Sequence, residues 1–300
     1  MNKLLKKPLT LAQKKAWMGV LFVTPLIIGL ILLFILPLIQ SFRFSLSSIR
    51  LVEGGFSVDY LGTVNYTELF TTNPEFPRRL TESVTNMLVN VPIIIIFSLF
   101  AAVLLNQKFK GRALARAIFF LPVILASAAI ANMDISSFVG SSTPAGGGEG
   151  GGGLMQSFEL EKLLVESGLA PVLVDYITGA VDRIYEIISS SGVQILIFLA
   201  GLQSVSPTLY ESSRIEGATG YEIFWKVTFP MMTPLILTNV VYSIIDSFGS
   251  NTINTLISQT AFSSFEFGQS AAMSWVYFLV VALILGISTA IISRKVFYYD

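Results

Sequence analysis

Four polar side chains stand in an otherwise apolar run: Asn239, Tyr242, Ser243 and Asp246, spaced i, i+3, i+4 and i+7. On a helix that spacing puts all four on one face. Such a set suits a polyhydroxylated solute: the ring covers C–H faces, while the amide, hydroxyl and carboxylate meet hydroxyl groups. The same stripe would also serve as hydrogen-bonding glue between membrane helices, or as a helix end reaching water near Asp246. Asn86 and Asn90, one turn apart, and Tyr277 are further polar groups in apolar surroundings.

Covalent and metal chemistry have little to work with. The chain has no cysteine and no histidine. Disulfides, thiolate sites, the usual zinc sites and histidine-based catalytic dyads are therefore excluded. No G-x-x-x-x-G-K-[ST] phosphate loop occurs, and "GGGEGGGG" (146–153) has no lysine after it and reads as a flexible linker. The sequence calls for no cofactor, no metal and no catalytic residue.

A second constellation is "ESSRIEGATGYEIFWKVTFP" (211–230), polar and amphipathic between two apolar runs. Ser206-Pro207 opens a short helix, because proline fits the first helical position without losing a needed hydrogen bond. Gly217 ends it, tolerating the left-handed conformation of a helix terminus. Thr219 with Glu222 three residues on is a capping box for a second helix, which Pro230 is expected to close. Ile223, Phe224 and Val227 form its apolar side, rimmed by Glu211, Arg214, Glu216 and Lys226. This is a docking element for a protein partner or an interfacial helix on lipid headgroups.

The elements that hold these residues are membrane spans. The chain is 53% hydrophobic and only 13% charged, where soluble domains run near about a quarter charged. Apolar runs at 17–39, 83–105, 115–133, 187–205, 234–248 and 270–292 are read as six spans. Against the roughly 20 residues a bilayer needs, the fourth is more polar and the fifth is short unless it recruits residues before Pro234. The first is read as an anchor, since its core is too long for a signal peptide and no small-x-small site comes after it. With the N-terminus inside, the tail lysines, Lys108, Lys110, Arg112, Arg116, Arg214, Lys226, Arg294 and Lys295 all face the cytoplasm. That agrees with the positive-inside rule, as does the acidic stretch 134–186 placed outside. Both termini and the 211–230 stretch are then cytoplasmic.

Residues 211–230 resemble the E-A-A loop of permease subunits of binding-protein-dependent ATP-binding-cassette importers. That motif reads E-A-A-x-x-D-G-A, a variable apolar-patterned stretch, then I-x-L-P. Here Glu211, Ser212, Ser213, Glu216, Gly217 and Ala218 are followed by Phe224, Val227, Phe229 and Pro230. Serines replace the alanines and glutamate the aspartate, so small residues and an acid are kept. "AIFFLPVILAS" (117–127) is similar to the maltose-type, carbohydrate branch. The resemblance implies an all-α integral membrane fold, a six-span bundle with a cytoplasmic coupling-helix loop between the fourth and fifth spans.

It also implies a layout: tail 1–16, first span 17–39, extracytoplasmic loop 40–82, permease core 83–295 and tail 296–300. The core would hold a coupling loop at 206–230 and an extracytoplasmic insert at 134–186, longer than the family pattern leads one to expect. The helices of that insert, read from the sequence, dock a binding protein or rest on the membrane. Glu211 would pair with a basic residue of the ATPase and Gly217 would be the hinge. Phe224 would be a packing anchor, with Arg214, Glu216, Ala218 and Pro230 completing the loop. Asn239, Tyr242, Ser243 and Asp246 would line the sugar pathway. The implied partners are a second homologous permease, an ATP-binding-cassette ATPase dimer, an extracytoplasmic solute-binding protein, the lipid bilayer and a carbohydrate. The implied site is the bacterial cytoplasmic membrane, crossed several times. Nucleic acid is not expected. Competing readings are a permease for a polyol phosphate, polyamine or peptide, and a non-transport membrane scaffold; no basic cluster in the spans favours an anionic cargo.

Overall fold

Two helices change geometry just before a proline, at Pro37 and at Pro230. A computed structural model describes residues 11–52, 55–107, 109–125, 163–164, 171–249 and 251–296. The first span is α1 (Leu11–Leu30), one wide π turn (Ile31–Ile35) and α2 (Leu36–Ser45). Proline has no N–H, and its ring collides with the carbonyl four residues back. Before Pro37 the ladder shifts by one residue, the Leu36 N–H bonding to the Ile31 carbonyl, and the helix continues. The widened turn relieves that collision.

After α2 come an antiparallel hairpin, β1 (Ser47–Val52) and β2 (Gly55–Tyr60), and a short helix α3 (Val64–Thr71). The second apolar run lies within α4 (Glu75–Asn106), 32 residues long. At 1.5 Å per residue that is about 48 Å, well beyond a hydrocarbon core of about 30 Å. Of the third run, α5 (Arg112–Leu125) is described; the remainder, the glycine-rich linker and most of the first insert helix lie outside the described residues. Next come α6 (Pro171–Ser190) and α7 (Gly192–Ser204), bent by 49° between them. The helix α6 passes without a break through the junction drawn at 186–187.

The chain continues with α8 (Pro207–Ile215), α9 (Gly220–Ile223), a second π turn (Phe224–Thr228) and α10 (Phe229–Gly249). Then come α11 (Thr252–Phe262) and α12 (Phe267–Ser293). Contrary to the expectation from sequence, Pro230 does not close a helix. The Phe229 N–H bonds to the Phe224 carbonyl, and the same wide turn carries the backbone past the proline. The fifth run is thereby lengthened toward its N-terminal side. Among the described residues, four helical stretches are long and apolar enough to cross a bilayer, or five if α6 and α7 make one broken span.

Contacts divide the chain into two compact units: Met1–Ser83 with Asn251–Val280, and Val84–Ser250 with Val281–Asp300. The first is held by buried polar groups. The Asn65 side-chain amide donates to the carbonyls of Ser45 (2.9 Å) and Ser47 (3.0 Å), clamping the end of α2 to the start of β1. Ser83 donates to Asn251 Oδ1 at 2.9 Å, the same oxygen that caps α11 by accepting from the Thr252 N–H. Gly268 sits so close to the Ser47 carbonyl oxygen that a methyl group there would overlap it.

In the second unit α10 packs across α7, where Gly201 leaves room for Leu235 and Met232. Gln194 and Asn239 are fully buried at this crossing, and Gln194 Nε2 donates to Ser243 Oγ at 2.9 Å. Gln194 Oε1 and both amide atoms of Asn239 have no hydrogen-bond partner among the described residues.

This packing has two measurable consequences. Gly268→Ala must push the backbone carbonyl of Ser47 away and should cost about 1–3 kcal/mol, read as a lower melting temperature of the purified protein; an unchanged value would mean that the contact is loose. A double-mutant cycle of Gln194→Leu and Ser243→Ala should give a coupling of about 0.6 kcal/mol, and zero coupling would remove this hydrogen bond from the packing.

Candidate coupling loop and solute-contact sites

The polar loop is built from its helix ends. In α8, Ser206 is extended and Pro207 takes the first helical position. The helix stops where Gly217 turns to φ +83°; the Gly217 and Ala218 N–H groups bond back to the carbonyls of Arg214 and Ser213. A residue with a Cβ would be strained in that conformation. Two residues later the chain starts again on a reciprocal cap. Thr219 Oγ1 accepts from the Glu222 N–H at 3.3 Å, and the Glu222 carboxylate accepts from the Thr219 N–H at 2.9 Å. Lys226, one turn on, pairs with Glu222 at 3.5 Å and adds charge of the sign that holds the cap carboxylate.

From Gly220 the backbone runs helically through the π turn into α10 without interruption. Tyr210 on α8 meets Thr228 across the turn, hydroxyl to hydroxyl at 3.4 Å, and Ile223 and Thr228 are buried. Phe224 packs edge-on to Trp225 at 5.1 Å, and Trp225 meets Phe229 at 5.2 Å. The loop is therefore a knob seated on the end of α10.

The apolar face expected for this knob differs in detail from the one observed. Ile223 is buried and Phe224 and Val227 are half-buried, so they hold the knob together. The exposed apolar groups are Ile215 (87%), Tyr221 (74%) and Trp225. Which side chains are covered is decided where α8 folds against the start of α10, with Tyr210 meeting Thr228, and helical periodicity alone does not register that packing. Glu211, Arg214 and Glu216 are exposed and make no ion pair among the described residues; Gly217 is exposed and Ala218 half-buried, while Pro230 is half-buried in α10.

The stripe on α10 divides. Asn239 and Ser243 are buried against α7, with Gln194 as the partner of Ser243; Tyr242 is half-buried and Asp246 exposed. The interhelical role open to the stripe fits its first column, and only the second is open to a solute. Gln194 is a site residue that sequence reasoning misses, although an amide inside "GVQILIFLAG" is the available signal. Asn90 on α4 stands between charges of α6: Arg183 Nη2 donates to its Oδ1 at 3.1 Å, and its Nδ2 donates to Glu186 Oε1 at 3.2 Å. Asn86 is exposed. Tyr277, in the first unit, is buried and accepts from Asn251 Nδ2 at 3.3 Å, which suits packing better than solute contact. An apolar groove of about 450 Å³ lies among α4, α10 and α12, lined by Val91, Ile95, Phe229, Val240, Ile284 and others. With almost no polar lining, it offers nothing to hydroxyl groups.

Proteins similar to this chain include transport permeases. A probable ABC transporter permease, YesP of Bacillus subtilis (strain 168), is 30% identical over 289 residues, covering 89% of this chain and 87% of the relative. The trehalose/maltose transport system permease MalF of Thermococcus litoralis is 25% identical, covering 95% of each. A bacterial alginate ABC transporter, solved in complex with a periplasmic protein bound to alginate pentasaccharide, contains a chain of the same fold. Its TM-score is 0.66 at 19% identity, over 94% of this chain and 96% of that one. The profile of the binding-protein-dependent transport system inner membrane components matches residues 70–299. With that span covering most of the chain, loop and helices alike, the protein belongs to the family of inner-membrane permease components of binding-protein-dependent transport systems.

Proposed function

We propose that this chain is one half of the membrane pathway of an ATP-driven sugar importer, its cargo most simply an oligosaccharide. The observation that carries the reading is mechanical. The 206–230 knob continues into α10 through unbroken helix, so a displacement of the knob is delivered to the helix bearing Tyr242 and Asp246. A motor that hydrolyses ATP elsewhere could drive alternating access through such a lever. Relatives that carry trehalose, maltose or alginate-type saccharides support the sugar reading, and the hydroxyl-binding character of the second stripe column agrees with it.

In this reading the chain makes six spans with both termini and the knob in the cytoplasm, and the 40–82 and 134–186 segments lie outside. Glu211 is the acid offered to a basic residue of the ATPase, Gly217 sets the angle between the loop helices, and Phe224 stiffens them. Ile215, Tyr221 and Trp225 add exposed apolar area for the ATPase cleft, with Arg214 and Glu216 on the rim. The other half of the pathway is a second, homologous permease, and an extracytoplasmic solute-binding protein delivers the sugar. ATP hydrolysis belongs to the separate ATPase dimer.

Purification of the complex tests the assignment. The chain should bring down an ATPase whose turnover rises with a sugar-loaded binding protein; a chain that brings none is a scaffold, and calorimetry of the binding protein distinguishes sugars from polyol phosphates. Glu211→Ala should retain assembly in part but lower uptake at least about tenfold, as expected for removing one charge of a buried interfacial pair; normal uptake would remove Glu211 from the lever. Tyr242→Ala should slow uptake several-fold while basal ATP turnover stays the same. Unchanged transport kinetics would assign Tyr242 to packing alone.

A further inference from the structure

The hairpin that comes after the first span is amphipathic in a way that neither the lever nor the pathway uses. Ile49 pairs with Val58, Leu51 with Phe56 and Ser47 with Tyr60, while Ser48 pairs with Asp59 and Arg50 with Ser57. Side chains alternate across a strand, so Ile49, Phe56, Val58 and Tyr60 share one face and Ser48, Arg50, Ser57 and Asp59 the other. On the apolar face Phe56, Val58 and Tyr60 remain 63%, 48% and 76% exposed. A lone two-stranded hairpin is marginal in water, and an uncovered aromatic face makes it more so.

Its base is nevertheless pinned to the ends of two spans. Strand β1 begins two residues after α2 ends, and the Leu61 N–H closes the base on the Leu46 carbonyl at 2.9 Å. The Asn65 clamp and the close approach of Gly268 fix the same point to the beginning of α12. Near the tip, the Phe56 ring meets Phe267, the first residue of α12, edge-on at 6.1 Å, and Phe265 meets Phe267 at 6.4 Å. The face bearing Phe56 is thus turned toward the end of the last span. The hairpin lies over the span ends and does not stand clear of them.

We infer that this apolar face is a lipid-binding surface: it rests on the bilayer interface, with Phe56 and Tyr60 at headgroup depth and Arg50 and Asp59 in water. Aromatic side chains with one apolar and one wet side favour that zone, and an amphipathic element pinned at the end of a span has its depth already set. Lipid fits better than a protein partner because the charges that would set register on a protein lie on the opposite face. The exposed apolar surface of α2, with Leu38, Ile39, Phe42 and Phe44, leads directly to the hairpin and needs the same cover. The inference rests on the first and last spans crossing a bilayer, not on the identity of the cargo.

The absence of cysteine allows a direct test. Single variants Val58→Cys, Tyr60→Cys, Ser57→Cys and Asp59→Cys, with Leu283→Cys on the exposed face of α12 as reference, are spin-labelled. Each is placed in the full chain, assembled with its copurifying subunits in phospholipid bilayers. Labels at 58 and 60 should collide several-fold more often with oxygen than with a polar nickel reagent. The preference should reverse at 57 and 59 and stay the same when binding protein is added. Water-like behaviour at all four positions overturns the proposal. So does shielding from both reagents at 58 and 60, which would place a protein, either the binding protein or the second permease, on this face. A water-like label at 283 overturns the membrane placement itself, a failure separate from that of the hairpin.

Discussion

Inside a bilayer no water is available to satisfy a backbone group, so a chain can bend or pass a proline only if its hydrogen bonds are reassigned within the protein. The connection between the polar loop and its span depends on this constraint. At Pro230 the chain keeps its ladder by widening one turn, and at Pro37 in the first span it does the same. A break at Pro230 would have left a swivel between knob and helix. The π turn leaves a continuous helix, and the buried Ile223 and Thr228 with the Phe224–Trp225–Phe229 cluster hold its end in place. Coupling to an outside motor requires that stiffness before it requires any particular contact.

Polar groups in the spans obey the same constraint with side chains. Gln194 donates to Ser243 across the α7–α10 crossing, and Asn90 stands between Arg183 and Glu186. Asn239 is different, since its amide is buried with neither atom paired among the described residues. An unpaired buried amide is costly. It lies one turn from the Gln194–Ser243 bond, at the same α7–α10 crossing. The first unit uses polar groups in another way. Asn65 binds two partners and Asn251 three, and both thereby fasten chain segments distant in sequence, while Gly268 permits a close approach to the Ser47 carbonyl.

Much of the loop was legible because its signals are local. Pro207, Gly217 and the Thr219–Glu222 pair each act within one helical turn, and all three appear where their spacing placed them. The apolar runs were legible for a similar reason, since crossing a bilayer is a property of length and composition. The exposed face of the knob was not, because it depends on how α8 folds against the start of α10, a contact between separate elements. Nor was the division of the α10 stripe: periodicity puts Asn239, Tyr242, Ser243 and Asp246 on one face but does not say which edge of that face meets α7.

The sequence by itself determined that this is a membrane protein without catalytic thiols or imidazoles, carrying a capped two-helix loop of the permease type. Those properties come from composition, run length and short-range capping, each of which is fixed by residues close together in the chain. Only the tertiary structure decided that Pro230 would be bridged, that Gln194 would claim Ser243, and that the 47–60 hairpin would lean on Phe267. Each of those depends on groups brought together from distant parts of the chain, where packing space and hydrogen-bond partners, not local preference, select the outcome.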